Sequence, residues 1–189
     1  MDAKVLEHFW KYFVIQIPLL ICAFWVIPRK WKEITSSFKK KNNKKIWMWA
    51  AIFFIIRLII FFCIPSISSA ESEATAQQLE TFKKSPTLLF ILACLIAPIT
   101  EECFFRYLIF ENFNKKKLIP YLFSFFGFIL MHSTYFSFSW EGFGKLFLSY
   151  SFSAWLLIHV YRKSNWNLAF PIVFHFIENF TVFLYYLSL

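Results

Sequence analysis

Ala97 to Phe110, APITEECFFRYLIF, sets two adjacent carboxylates and an arginine inside an otherwise apolar stretch from Thr87 to Phe113. A charge at the centre of a bilayer costs roughly 2.5 to 3.5 kcal/mol on insertion scales, and intramembrane Glu and Arg face a bundle interior or a wet cavity. Glu101, Glu102 and Arg106 are therefore the first candidates for function; the plainer alternative is that all three only pin this helix to its neighbours. Glu102 and Arg106 are spaced i, i+4 with the acid N-terminal, the better orientation for an ion pair on one helix face. Glu101 lies about 100° round the helix and points elsewhere. The spacing predicts a structural pair and, beside it, a carboxylate with no partner in its own helix, suited to act as a general base.

Outward from this stretch, 59% of the 189 residues are hydrophobic, 28 are Phe, and mean hydropathy is +0.55. That excludes an ordinary soluble domain and predicts an integral membrane protein. Three Gly, seven Pro and no visible repeat argue against disorder and for one domain, 1–189. The expected fold is all-α, a polytopic membrane bundle of about six transmembrane helices. Spans are expected near Tyr12–Ile27, Ile46–Ile64, Thr87–Phe113, Leu118–Phe138, Leu146–Tyr161 and Leu168–Leu189. Residues 1–85 hold two N-terminal helices and a polar outer loop, Ser66 to Ser85, with Glu71, Glu73 and Glu80; residues 86–189 form a four-helix catalytic core. A second short outer loop is expected at Gly142 and Gly144.

Three proposed inner loops carry Arg29 to Lys45, Lys115 to Lys117, and Arg162 with Lys163, together 13 of the 20 Lys and Arg. The positive-inside rule makes these loops cytoplasmic and puts both the N-terminus and the C-terminus outside. The net charge of +9 then reads as topology and attraction to anionic lipid, with no role for nucleic acid. Asp2 and Glu7 stand where a signal peptide needs basic residues, so the first span is expected to stay in the mature protein. Cys22, Cys63, Cys94 and Cys103 lack metal-type spacing and read as packing residues. Arg57, inside the second span, is expected to snorkel or to pair with Glu178, and His159 to lie at the interface.

Four further polar groups matter because of their depth. Glu101 is 14 residues from Lys115, His132 is 15 from Lys117, and His175 and Asn179 are 12 and 16 from Lys163. At about 1.5 Å per residue, all lie roughly 18 to 24 Å from the inner loops, so they can share one layer. His175 and Asn179, at i, i+4, present one face, and Phe128 lies one turn before His132. Pro98 and Pro171 each remove a helical hydrogen bond nearby, as befits backbone that lines a cavity. The plainer alternative is interhelical hydrogen bonds that hold the bundle together. This group of residues suits hydrolysis of an acyl compound, with Glu101 and His132 activating a water and His175 and Asn179 donating to the oxyanion.

Glu101-Glu102-Cys103-Phe104-Phe105-Arg106 resembles the EExxxR motif of the CPBP family, the Abi or CAAX-protease-like intramembrane endopeptidases. Phe128 to His132 resembles that family's FxxxH motif and His175 to Asn179 its HxxxN motif, in the family's order. The resemblance covers about Thr87 to the C-terminus. It implies a helical membrane protease that cleaves a membrane-associated peptide or protein near the cytoplasmic leaflet. It also implies the roles Glu101 and His132 for water activation, Glu102 and Arg106 for support, and His175 and Asn179 for the oxyanion site. The family is also described as metalloprotease-like, and two His with a Glu can ligate zinc. With no HExxH present and Asn179 a poor zinc ligand, metal-free hydrolysis is favoured. The short chain resembles a compact bacterial type of the cell membrane. Three other readings compete: a non-catalytic peptide-binding or bacteriocin-immunity protein, a proton-coupled transporter with Glu101 and the histidines as relay, and a carboxylate and histidine metal site with His175 and Glu178 at i, i+3, although only one such motif is present.

Overall fold

The computed structural model describes residues 3–38, 44–63, 86–133 and 140–187, and these are all-helical, with no strand among them. Six helices follow in order: α1 Ala3–Ser37, α2 Lys44–Cys63, α3 Pro86–Asn112, α4 Ile119–Ser133, α5 Trp140–Lys163 and α6 Ala169–Leu187. The expected Ser66–Ser85 loop, Lys39 to Lys41, and the end of the fourth span beyond residue 133 lie outside the described residues, as does the Arg57 side chain. Among the described residues α3 alone is both long and apolar enough to cross a bilayer by itself; Ile46–Ile56, Ile119–His132 and Ala169–Leu184 are shorter apolar helical stretches.

Two boundaries differ from expectation. The first helix runs on past Ile27 to Ser37, so Arg29, Lys30 and Lys32 stand on a helix instead of in a loop. Local pairs support this extension: Arg29 donates to the Trp25 carbonyl at 2.6 Å, and Lys30 pairs with Glu33 at 2.8 Å. The residues Gly142 and Gly144, expected in a loop, lie in the first turns of α5. Glycine costs up to about 1 kcal/mol in a helix, but where water is scarce the backbone must bond to itself, and helix is the nearest way to do so.

The core lies between α3, α4, α5 and α6, with α1 packed along α3. Phe128, Ile129, Leu156, Leu157 and Phe170 form one buried cluster; Val26, Cys103, Phe110 and Tyr161 anchor a second. Gly127 lets α4 approach α3, because a Cβ there would come within 3.1 Å of the Phe105 ring. Large apolar side chains such as Ile21, Phe24, Phe123, Leu130 and Leu148 point outward, an exposure that soluble monomers avoid.

The basic ends meet at one end of the bundle. In the turn between α5 and α6, Asn165 and Trp166 adopt left-handed backbone (φ 57° and 62°). That turn directs the Trp166 ring onto Phe110 and Tyr161, and Lys115 from the α3–α4 turn lies 5.3 Å over it. Asn167 caps α6 by accepting from the Ala169 amide at 2.9 Å and donates across to Ser37 at 2.6 Å and Glu33 at 3.4 Å. Residues from three chain-distant basic segments are thus held together.

Candidate active site

Local backbone prepares the site. Helix α3 is π-helical over Phe90–Ile96 and again over Cys103–Leu108. Single-turn π segments inside helices gather at functional sites. Pro98 explains where the first one ends. In a π register the N–H of residue 98 would bond the Ala93 carbonyl, and proline has none. Asn179 of α6 supplies the missing donor, its Nδ2 reaching the Ala93 oxygen at 2.8 Å. Next to the break, the Thr100 hydroxyl donates to the Ile96 and Ala97 carbonyls at 3.0 and 3.1 Å.

The two glutamates diverge as their spacing predicts. Arg106 Nε lies 3.0 Å from Glu102 Oε2, with both side chains fully buried. The guanidinium carbon lies 4.6 Å over the Phe128 ring, and Nη1 and Nη2 have no hydrogen-bond partner among the described residues. Glu102 Oε1 faces His175 Nδ1 at 2.9 Å. A carboxylate can only accept, so Nδ1–H donates, and Nε2 is the ring nitrogen left to face inward.

Glu101 points into the gap between two imidazoles. Its Oε2 is 3.9 Å from His132 Nε2 and 3.8 Å from His175 Nε2. Both distances exceed a direct hydrogen bond, and the buried Oε2 has no hydrogen-bond partner among the described residues. His132 is held from behind as well, its Nδ1 2.8 Å from the Phe128 carbonyl. A carbonyl only accepts, so Nδ1 carries the hydrogen and Nε2 offers a lone pair toward Glu101. Phe128 separates the parts: its buried ring centre lies 4.6 Å from His132 and 5.6 Å from His175.

Five of the six residues singled out in the sequence thus form one continuous group: Glu101, His132, His175, Glu102 and Arg106. Asn179 adjoins it through the α3 backbone at Ala93. The Glu102–His175 and Asn179–Ala93 bonds have no counterpart in the sequence analysis, and neither do two contacts from α5. Tyr150 of α5 stacks on His132, and Ser153 of α5 donates to Glu178 Oε1 at 3.1 Å. Their i, i+3 spacing on an apolar helix was the available signal. Among the described residues no group of three His, Cys, Asp or Glu side chains is placed to hold a metal ion. The gap suits a small polar reactant between a carboxylate and two ring nitrogens, the positions needed for proton transfer at a carbonyl.

No curated protein and no solved structure matches the chain. Residues 83–181, just over half of the 189 and including every residue of the site, match the Rce1-like family, described as type II CAAX prenyl endopeptidase Rce1-like. The chain therefore belongs to the Rce1-like family of membrane-embedded proteases.

Proposed function

We propose that this chain is an intramembrane endopeptidase that hydrolyses a peptide bond in a membrane-associated peptide or protein, using Glu101 and His132 to activate water. The observation that carries this is the buried Glu101 Oε2, without a hydrogen-bond partner among the described residues and set 3.9 and 3.8 Å from two Nε2 atoms whose rings are each fixed at Nδ1. Such spacing is short enough for one water to bridge. A water there donates one hydrogen to Glu101 and the other to the lone pair of His132 Nε2.

Attack forms the bond between water oxygen and the scissile carbon while Glu101 takes a proton. His175, donating from Nε2 when that atom carries a proton, and the second amide hydrogen of Asn179 stabilise the oxyanion. Each well-placed donor of this kind is worth roughly 3 to 4 kcal/mol. The carbon–nitrogen bond then breaks as the proton passes from Glu101 to the leaving amine, leaving a carboxylic acid and an amine. Glu102 and Arg106 hold His175 in place. The proposed route uses no zinc, and the chelator arm of the experiment below tests that.

The proposed topology has six crossings with both termini outside and the basic end cytoplasmic, where Lys and Arg meet anionic lipid. The three basic segments gathered at one end of the bundle support it. Cleavage would then take place reached from the cytoplasmic leaflet, in a bacterial-type membrane enzyme. The test is cleavage of a farnesylated peptide ending in a CAAX sequence, in liposomes, by wild type and Glu101→Ala, each with and without a strong chelator. Activity that survives the chelator but not the substitution is expected. Activity equal in wild type and Glu101→Ala would end the proposal.

A further inference from the structure

Helix α5 carries none of the three motifs, yet two of its side chains reach the site. Ser153 bonds Glu178, one turn beyond His175. Tyr150, one turn earlier on the same face, lies with its ring centre 4.2 Å from that of His132 at 30° between planes, a stacked pair. Phe128 touches the same imidazole at 4.6 Å and lies 6.5 Å from Tyr150. The three centres therefore make roughly a right angle at His132, and the two rings restrain different motions. The carbonyl of Phe128 anchors Nδ1, but a single hydrogen bond lets the ring rock about that atom. A flat neighbour across its face stops that rocking.

The geometry points to Tyr150 as a positioning residue that holds the His132 imidazole in the plane where Nε2 meets Glu101. The His132 side chain is the more open of the two imidazoles, at 14% exposure against 5% for His175. His175 has a carboxylate and an arginine behind it, whereas His132 has one carbonyl. Among the described residues, the stack adds to the restraint that the carbonyl and ring of Phe128 give His132. Aromatic pairs in this arrangement prefer offset stacking and hold each other beyond what burial alone supplies. The stack on His132 is made by the ring, so for this role phenylalanine should replace it and an aliphatic residue should fail.

This inference rests on the protease reading for its kinetic arm only. Wild type, Tyr150→Phe and Tyr150→Leu are compared in liposomes on the farnesylated CAAX peptide, and the His132 ring signals are followed by NMR of histidine-labelled protein in micelles. Tyr150→Phe should keep kcat within about twofold, and Tyr150→Leu should lower kcat roughly ten- to a hundredfold with KM unchanged, as small misplacement does. The His132 signals should shift and broaden in the Leu variant alone. A Leu variant with wild-type kcat and unshifted His132 signals overturns the proposal, as does a Phe variant as impaired as Leu. If wild type cleaves nothing, the protease reading fails, and the NMR arm still decides whether Tyr150 fixes the ring.

Discussion

Two buried polar clusters lie at different levels of the same bundle, and they are built in opposite ways. At the basic end Asn167 uses its whole carboxamide: Oδ1 accepts from Ala169, and Nδ2 serves Ser37 and Glu33. At the motif layer Glu101 Oε2 and both terminal nitrogens of Arg106 are buried without hydrogen-bond partners among the described residues. Buried polar groups are nearly always satisfied, and a satisfied network rigidifies what it joins. The first cluster therefore reads as a clasp. On the proposed function the second keeps acceptors and donors in reserve for a reactant, while Glu102 and Arg106 back each other's charge.

Breaking the second cluster should hurt most. Glu102→Ala removes the counter-charge of a fully buried Arg106 and the support of His175 together, and should cost about 3 to 5 kcal/mol of stability, read as thermal unfolding in detergent, along with activity. Adding Arg106→Met to it should restore much of the stability, because a matched apolar replacement of a buried pair can be neutral. Activity should not return, since His175 stays unsupported. His132→Ala should lower kcat by about a hundredfold or more in the liposome assay, the usual loss when a proton-transfer group goes, with little change in unfolding temperature. At the basic end the pattern should invert. Asn167→Ala should cost about 1 to 3 kcal/mol by stranding its partners, while kcat in the protein that remains folded stays near wild type. Smallest of all, Lys115→Ala breaks an exposed pair with Glu111 and the contact over the Trp166 ring and should change stability by no more than about 1 kcal/mol.

How far the sequence reached differs between these regions for physical reasons. Apolar period and basic punctuation located the helices, and the i, i+4 spacing of Glu102 and Arg106 gave their pairing in advance. Boundaries suffered where the usual stop signals lose force: Pro28 sits inside α1, and Gly142 and Gly144 inside α5. The placement of Asn179 depended on a π register that no side-chain pattern announces; only after Pro98 is seen to leave the Ala93 carbonyl open does that bond become intelligible. Tyr150 was hidden among 28 Phe and 8 Tyr, where one more aromatic looks like packing. The clasp was invisible because it joins residues 130 and 134 positions apart.

The most direct test sets Glu101→Gln beside Asn167→Ala and measures two quantities on each: cleavage rate in liposomes and unfolding temperature in detergent. Glu101→Gln keeps the side chain's size and should lose on the order of a thousandfold in rate while unfolding at the wild-type temperature. Asn167→Ala should unfold earlier and cleave at close to the wild-type rate. A Glu101→Gln variant that cleaves like wild type, or that loses activity only because it unfolds, would contradict the division between a reactive layer and a structural clasp.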